Sequence, residues 1–466
     1  MNGINYMLRP KSVAIIGASR EPGKVGHVIL ENYVNSGYEG RLFPINPNAD
    51  SILGLKAYKS VKDVPYKVDL SVIAVPAESV PKVLQECGEK GVKACVIVSG
   101  GFAEVGRKDL QDQIVEISKK YNISTLGPNC LGVMDPRSRV DTLFLPTYKL
   151  SRPSIGGVSF IAQSGAVGST ILDLIAGEGF GLSKFFSYGN AAVIDETDLL
   201  EFLAKDPDTK VIVMYLEGIK RGKEFLKVGY RTSLKKPVVV LKAGRTAQGI
   251  KAAHSHTAAL AGDYAVQYHA FRQVGFCVVE DLKDLLYLAK VFESEPEPKG
   301  NRVAIVTNGG GAGVITADAV GLSKSLSLAE FSDSTKEKLR KVLPNIVSIN
   351  NPLDLAGDAD EKRYDQALRI IVEDKNVDMI AVIALFQTPG ADSKLAAKLV
   401  SIKQQTEKPM IVISVGAEYS DMHRIIMESS GLPVYDSPAK AIESLDALYS
   451  YYSFVKKRKS QRAQAK

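Results

Sequence analysis

Short apolar runs alternate with amphipathic stretches along nearly all of the 466-residue chain. The runs are rich in β-branched residues and are bounded by glycine, proline and asparagine, which is typical of buried parallel strands separated by helices. They predict strands in three groups, at residues 12–16, 41–45, 70–75, 94–98 and 124–126, then 157–162, 182–187, 211–216, 237–242 and 276–279, then 302–307, 379–385 and 410–415. The pattern therefore predicts three consecutive α/β domains.

Two polar, proline-containing segments separate the three groups of strands, at residues 145–157 and 293–301. Segments of this composition are typical of connections and linkers. We expect domains at residues 1–146, 147–296 and 297–455, followed by a basic tail at residues 456–466. A basic run at a chain end is most often a solvated end.

The composition narrows the functional classes. Apolar residues make up 45% and charged residues 24% of the chain, as in globular domains with substantial cores. No apolar run approaches the roughly 20 residues that cross a bilayer, and no signal-peptide pattern is visible, so we expect a cytoplasmic protein without a membrane partner. The four cysteines are scattered, which favours neither disulfides nor a metal site. The net charge of +7 is spread along the chain without interleaved aromatic residues, so no nucleic-acid partner is expected.

The first predicted strand ends in the glycine-rich turn GASREPGKVG, residues 17–26. Glycines let a backbone approach phosphate closely, and the following helix would supply N–H groups and a favourable dipole. The dinucleotide fingerprint is not matched, because the acidic residue expected about 20 positions later is absent around Asn46. The turn predicts a phosphate-bearing nucleotide other than NAD, with a tight turn that binds no ligand as the alternative.

Three further turns follow predicted strands of the first group, at residues 75–76, 99–102 and 127–130. The carboxyl ends of parallel strands meet at one edge of the sheet, where ligands of open α/β sheets bind. The turns therefore predict an extended ligand along this edge.

The segment KAAHSHTAALAG, residues 251–262, places His256 among small side chains that would not crowd a reacting group. A neutral imidazole is a good nucleophile near pH 7 and can form a covalent intermediate. A lone histidine is more often structural, and His254 offers a second imidazole. Among glycine-rich strand ends that could bind phosphate, His256 is the candidate phosphate carrier.

Eight strings in this order carry a resemblance to a known family: GASREPGKVG, SGGFAEVG, GPNCLG, AQSGAVG, SYGNAA, SHT, TNGGGAGV and NPLDLAG. The chain resembles the α subunit of ADP-forming acetyl-CoA synthetase, a nucleoside-diphosphate-forming acyl-CoA synthetase related to succinyl-CoA synthetase. The resemblance implies a Rossmann-like CoA-binding domain followed by two flavodoxin-like, succinyl-CoA synthetase-like domains. It also implies the reaction of acyl-CoA, ADP and phosphate to carboxylic acid, ATP and CoA through a phosphohistidine.

The resemblance implies roles for individual residues. His256 would carry the phosphoryl group, and Glu217, at a strand end, would accept a hydrogen bond from its ring, although a solvated loop glutamate is the alternative. Ala258 stands where the family often has glycine. This difference would affect the geometry of the local turn and not the chemistry. The CoA-binding residues would be Gly17, Ser19, Lys24, Gly26, Asn46, Val75, Pro76, Ser99 and Asn129. Two helix N-termini would bind phosphate, formed by Gln163, Ser164, Gly165, Gly309, Gly310, Gly311, Ala312 and Gly313.

The resemblance also implies partners. CoA is a substrate, no prosthetic group is expected, and ADP or ATP with Mg²⁺ would bind a β subunit that carries an ATP-grasp domain, in an α2β2 heterotetramer. The acid remains open among acetate, branched, aryl and longer acids. The alternatives are a CoA-binding regulatory protein, a succinyl-CoA ligase-type subunit and a lysine acetyltransferase of related architecture, for which no additional acetyltransferase domain is found.

Overall fold

Three mainly parallel β-sheets flanked by helices make up the chain in a computed structural model, which describes residues 2–251 and 263–464. The chain divides into two compact units. Residues 1–177 and 181–280 form the first, which holds two of these sheets and a two-stranded antiparallel sheet at residues 51–52 and 55–56. Residues 178–180 and 281–466 form the second. Each strand predicted from the sequence is present within two residues at either end. The predicted α/β fold class is confirmed.

The first sheet is entirely parallel, in the order β2-β1-β5-β6-β7. Its strands are apolar because both faces are covered, and Val13, Leu70 and Val96 are fully buried. The elements are α1 (Asn2–Leu8), β1 (Ser12–Ile16), α2 (Val25–Asn35), β2 (Arg41–Ile45), β3 (Ser51–Ile52), β4 (Leu55–Lys56), β5 (Leu70–Ile73), α3 (Val80–Lys90), β6 (Ala94–Ile97), α4 (Lys108–Tyr121) and β7 (Ser124–Leu126), with 3-10 turns at Val61–Asp63, Ala77–Ser79 and Ala103–Val105.

The second sheet contains seven strands in the order β14-β13-β12-β10-β11-β8-β9. Two of them, β8 (Gly132–Asp135) and β9 (Val140–Asp141), were not predicted, because they are short, each ends in an aspartate, and they pair antiparallel at the sheet edge. The other elements are β10 (Ile155–Ala162), α5 (Gly165–Glu178), β11 (Leu182–Ser187), α6 (Glu196–Leu203), β12 (Val211–Leu216), α7 (Gly222–Ser233), β13 (Val238–Lys242), α8 (Tyr264–Gln273) and β14 (Cys277–Val279).

The third sheet follows the order β16-β15-β18-β19-β20, and β17 pairs with β15. All of these pairings are parallel, as the continuous apolar runs predict. The elements are α9 (Leu282–Ser294), β15 (Arg302–Thr307), α10 (Gly310–Leu322), β16 (Ser327–Leu328), α11 (Asp333–Val342), β17 (Leu353–Asp354), α12 (Glu361–Glu373), β18 (Met379–Ile383), α13 (Ser393–Lys403), β19 (Met410–Ile413), α14 (Glu418–Ser429), β20 (Val434–Tyr435) and α15 (Pro438–Gln464).

The segment at residues 293–301, expected to be a linker before a boundary at residue 297, is partly integrated into the second unit. Helix α9, which precedes it, belongs to that unit. Glu295 is buried and accepts hydrogen bonds from Lys403 and from the Met410 N–H. The polar composition of the segment gives no sign of these contacts, because they depend on which surface the buried face of α9 packs against.

No helix within residues 2–251 and 263–464 is long and apolar enough to cross a membrane. In the same part of the chain, no group of three or more His, Cys, Asp or Glu side chains is placed to hold a metal ion.

Candidate functional site

The turn between β1 and α2 brings backbone atoms into close contact. Gly17 has a φ of +92°, in the left-handed region that favours glycine. A Cβ atom at Gly26 would lie 2.0 Å from the Gly17 carbonyl oxygen, so only glycine lets the start of α2 pack on the turn. The His27 ring nitrogen Nδ1 lies 2.8 Å from the Ser19 carbonyl oxygen and also holds the turn.

Lys24 directly precedes α2 and places its side chain at the surface. Its Nζ lies 3.5 Å from a carboxylate oxygen of Glu21, and both side chains are largely exposed. An exposed pair of this kind contributes little to stability, so the ammonium group can exchange Glu21 for a phosphate.

Polar side chains from neighbouring strand ends converge beside this turn. The Asn46 side chain donates to the Ala18 carbonyl at 2.7 Å. The Ser99 hydroxyl donates to the Val75 carbonyl at 2.6 Å, and the Asn129 N–H donates to the Ser99 carbonyl at 2.8 Å. The structure thus brings the predicted CoA-binding turns, including the one that ends at Pro76, to one edge of the first sheet.

At the corresponding edge of the second sheet, Gln163 holds the loop that follows β12. Its side-chain oxygen accepts the N–H of Glu217 at 2.8 Å and that of Gly218 at 2.9 Å, and it also accepts the Tyr188 hydroxyl at 3.3 Å. Ser164 caps the following helix weakly, since its hydroxyl accepts the Val167 N–H at 3.4 Å.

Helix α5 begins immediately afterwards, at Gly165. Gln163, Ser164 and Gly165 therefore form a helix N-terminus at the edge of the second sheet where its parallel strands end. The resemblance implies a helix start at these residues. Backbone N–H groups at such a terminus and the helix dipole favour an anion.

Glu217 is buried at the end of β12, with 5% of its surface exposed. The Tyr215 hydroxyl lies 3.3 Å from its carboxylate, and burial together with this carboxylate raises the pKa of Tyr215. The Lys242 ammonium donates to the carbonyl oxygens of Glu217 and Ala243, at 2.8 and 2.6 Å. Burial lowers the pKa of Lys242, and the negative charge of Glu217 offsets part of this effect. The burial rules out the alternative of a solvated loop glutamate.

The two histidines of the SHT segment, His254 and His256, lie outside the described residues, as does Ala258. The structure describes the chain on both sides of them. Before the segment, β13 ends at Lys242, which is bonded to the Glu217 carbonyl. After it, α8 begins at Tyr264. The roles expected for the histidines remain predictions.

The glycine run that follows β15 lies in the second unit. Helix α10 begins at Gly310, and the Gly309 N–H donates to the Thr307 hydroxyl at 2.9 Å. The Asn308 side chain bonds to both the N–H and the carbonyl of Leu385, at 3.0 and 3.2 Å. Asn308 therefore braces the turn. Gly309, Gly310, Gly311, Ala312 and Gly313 form a second glycine-rich helix start.

The structure adds two residues that the site assignments from the sequence missed, Glu104 and Asn190. They contact each other, and Asn190 also contacts Asn129. Burial acts to raise the pKa of Glu104, but hydrogen bonds from Asn190 and from backbone N–H groups outweigh it, so this pKa is lowered and the carboxylate stays ionised. The only sequence signal was that each residue lies in a string that carries the resemblance, SGGFAEVG or SYGNAA.

Three family models match the chain in succession. A CoA binding domain matches residues 11–136, a succinyl-CoA ligase like flavodoxin domain matches residues 155–292, and a ligase-CoA domain matches residues 303–447. The three models follow the three sheets and agree with the order of domains that the resemblance implies.

Curated relatives cover nearly the whole chain. The α subunits of acetate–CoA ligase [ADP-forming] I and II from Pyrococcus furiosus are 39% and 37% identical to it, over 98% and 96% of the chain and 99% and 97% of their own lengths. The acetate–CoA ligase [ADP-forming] of Methanocaldococcus jannaschii is 42% identical over 96% of the chain. The chain spans only 63% of the length of this last relative.

Solved structures of similar proteins also match nearly the whole chain. The dinucleotide forming acetyl-coenzyme A synthetase 1 of Ca. Korarchaeum cryptofilum, solved in complex with phosphate and ADP, superposes with a TM-score of 0.92 at 36% identity, over 98% of this chain and 99% of that one. The protein PH0766 of Pyrococcus horikoshii gives a TM-score of 0.88 at 34% identity, over 97% and 99%. With the identities to the P. furiosus subunits, these matches show that the chain belongs to the family of ADP-forming acetate–CoA ligase α subunits.

Proposed function

We propose that this chain is the α subunit of an ADP-forming acyl-CoA synthetase, which converts acyl-CoA, ADP and phosphate to a carboxylic acid, ATP and CoA. The observation that carries the proposal is the juxtaposition, within one compact unit, of two different ligand edges. One offers glycine-rich turns for a CoA nucleotide, and the other offers a helix N-terminus beside a buried carboxylate, Glu217. The names of the full-length relatives support the same reaction.

CoA would bind along the edge of the first sheet. The turn at residues 17–26 would approach the phosphates through its backbone, with Lys24 as a charge partner. Asn46, Val75, Pro76, Ser99 and Asn129 would contact the rest of the molecule as it extends along the strand ends. We expect calorimetry to show binding of CoA but not of NAD, and Lys24→Ala to weaken CoA binding. Tight NAD binding with no response to CoA would overturn this assignment.

The two chemical steps, formation of an acyl phosphate and transfer of its phosphoryl group, would take place at the edge of the second sheet. A phosphate oxygen attacks the thioester carbonyl, the carbon–sulfur bond breaks, and CoA leaves as a thiolate that takes up a proton, giving an acyl phosphate. A ring nitrogen of His256 then attacks phosphorus, and the carboxylate leaves. Phosphoryl transfer depends on positioning and charge stabilisation, which the helix start at Gln163–Ser164–Gly165 would supply.

ATP would be formed on a β subunit with an ATP-grasp domain, where ADP and Mg²⁺ bind, and we propose an α2β2 assembly without a prosthetic group. Mg²⁺ would neutralise charge on the phosphates of the nucleotide there. The subunit names of the P. furiosus relatives and the greater length of the M. jannaschii relative support a separate or fused second part.

The test is to reconstitute the chain with a β subunit and to measure ATP formation from ADP and phosphate against a panel of acyl-CoA thioesters. The same complex is incubated with ATP labelled at the γ-phosphate, and acid-labile, base-stable label on the α chain is located by mass spectrometry. We expect His256→Ala to abolish both label and turnover, and His254→Ala to retain both. Label on His254 would reverse the assignment. A complex that binds CoA but shows neither label nor turnover would favour a regulatory CoA-binding protein.

A further inference from the structure

The ligand edges of the first two sheets are joined directly through backbone hydrogen bonds. The Asn190 N–H donates to the Pro128 carbonyl at 3.0 Å, and the Ala192 N–H donates to the Gly127 carbonyl at 2.9 Å. The two loops are so close that a Cβ atom at Gly189 would lie 2.1 Å from the Asn129 carbonyl oxygen. The loop that follows β11 therefore lies against the loop that follows β7.

Side chains extend this junction into the CoA-binding edge. Asn190 is buried, with 8% exposed, and its Nδ2 donates to Glu104 Oε2 at 2.5 Å and to Gln111 Oε1 at 3.0 Å. Its Oδ1 accepts from Asn129 Nδ2 at 3.3 Å. Both ends of the amide are used, so its orientation is fixed.

The second oxygen of Glu104 anchors the turn that follows β6. Glu104 Oε1 accepts the Gly101 N–H at 2.6 Å and the Phe102 N–H at 3.2 Å. Gly101 has a φ of +103°, so this turn is held in a conformation that few residues adopt. One carboxylate thus links the turn at residues 99–102 to the loop of the second sheet.

That loop leads directly back to the proposed phosphate site. Tyr188, two residues before Asn190, donates its hydroxyl to Gln163 Oε1 at 3.3 Å. Gln163 in turn holds the backbone of Glu217. The turn at residues 99–102 is therefore connected to the helix N-terminus at Gln163. The connection consists of the hydrogen bonds of Glu104, Asn190 and Tyr188 and of the short backbone segment between Tyr188 and Asn190.

We propose that Glu104 and Asn190 form a latch that positions the thioester end of bound acyl-CoA over the phosphate site. The latch fixes the turn at residues 99–102 and Asn129, which would contact CoA, against the loop that leads to Gln163. Glu104 and Asn190 are positioning residues, since they act through these groups. The proposal rests on the proposed function and names the residues that bring its two half-sites into register.

The first test is Glu104→Gln in the reconstituted α–β complex. The new amide keeps a carbonyl oxygen for the Gly101 N–H but turns an NH₂ group toward the Asn190 NH₂ group. We expect turnover of acyl-CoA with phosphate to fall by about 10–100-fold, as a misplacement of about 1 Å does. CoA affinity should change little. Phosphorylation of the α chain by ATP should keep its wild-type rate, because that half-reaction does not involve CoA.

The second test exchanges donor and acceptor. Asn190→Asp alone places two carboxylates together and should lower turnover as well. The double variant Glu104→Gln/Asn190→Asp restores one donor and one acceptor, and should regain turnover to within a few-fold of wild type, as coupled neighbours do. Glu89→Gln is the control, because it removes a carboxylate of the same domain that pairs with Lys62 near the surface.

Wild-type turnover in Glu104→Gln, or a double variant that loses the product of the two single losses, would overturn the latch. A uniform loss of turnover and of phosphorylation by ATP would point to damaged folding rather than positioning, and would also overturn it. If the wild-type complex itself shows neither label nor turnover, the proposed function fails first and the latch with it.

Discussion

At the scale of single residues, the hydrogen bonds of Gln163 indicate which part of its side chain can contact phosphate. Its amide oxygen is occupied by the N–H groups of Glu217 and Gly218. The NH₂ group is therefore the part of the side chain that can donate to a phosphoryl oxygen. A single side chain would both set the backbone before the buried carboxylate and contact the transferred group. Replacing it would disturb two functions at once, which makes Glu217 the better residue to test.

Glu217→Gln removes the charge of the buried carboxylate and keeps its shape. A carboxylate that accepts from an imidazole ring fixes the tautomer and stabilises the cation that forms on phosphorylation. We expect the rate of His256 phosphorylation by ATP to fall by roughly 10²–10⁴-fold, with CoA affinity little changed. Rapid-quench labelling of the reconstituted complex measures this rate.

The matched control is Glu224→Gln, on the helix that follows the same strand, where the side chain is exposed and pairs with Arg221. It should label at the wild-type rate. If Glu217→Gln also labels at that rate, the carboxylate has no orienting role and its burial serves the fold alone.

The convergence of Ser99 and Asn129 at one edge of the first sheet could be predicted from the sequence, because each follows a strand and the ends of parallel strands must meet. Glu104 and Asn190 could not be assigned in this way, because their contact joins two sheets and depends on how one loop packs on the other. The approach of Lys242 to the Glu217 carbonyl is likewise a consequence of strand order, which periodicity does not reveal.

At the scale of elements, the packing of α2 on its turn makes the glycine at position 26 essential. In Gly26→Ala, the added methyl group would lie 2.0 Å from the Gly17 carbonyl oxygen. The helix start must then move away from the turn. We expect a loss of about 1–3 kcal/mol in the free energy of unfolding, as for overpacked sites, together with weaker CoA binding.

Denaturant unfolding and calorimetry measure both effects. Gly177→Ala is the control, because it adds the same methyl group to helix α5 at a position where no atom lies within 4 Å apart from its chain neighbours and the backbone of its own helix. There we expect a gain of about 0.5–1 kcal/mol, since alanine is the better helix former. A Gly26→Ala protein that is as stable as wild type and binds CoA equally well would contradict the packing argument.

The long apolar strands could be predicted because each is buried on both faces and is rich in β-branched residues. The pair β8 and β9 could not, since short antiparallel strands at a sheet edge lack a continuous apolar run. The second compact unit includes residues from 281 onward, before the domain boundary expected at residue 297, and the reason is similar. Helix α9 has an ordinary apolar face, and that face does not show which unit the helix belongs to.

At the scale of the whole molecule, three buried glutamates give stability a pH dependence. Burial raises the pKa of Glu196, Glu295 and Glu428, each to about 7. Between pH 4.5 and 7 the folded chain therefore holds protons that the unfolded chain has released. The free energy of unfolding should fall as pH rises through this window, by up to about 3 kcal/mol per group, and level off above pH 7.

Denaturant unfolding between pH 5 and 8 measures this slope. Glu295→Gln removes one of the titrating groups, so the slope should become smaller even if the variant is less stable at every pH. Glu89→Gln changes an exposed carboxylate whose pKa is lowered by a hydrogen bond from Lys62, so it should leave the slope nearly unchanged between pH 5 and 8. Stability that rises with pH over this range would contradict the assignment.

The last step of the proposed reaction is the transfer of the phosphoryl group to ADP. The three matched models occupy residues 11–136, 155–292 and 303–447, and none of them is an ATP-grasp domain. If the phosphoryl group leaves His256 for ADP on another subunit, the purified chain should form no ATP from acyl-CoA, ADP and phosphate. Addition of a β subunit should restore ATP formation, whereas addition of the same subunit to His256→Ala should not. A coupled luciferase assay measures ATP directly. ATP formation by the chain alone would show that it binds the nucleotide itself, and the division of labour between two subunits would then be wrong.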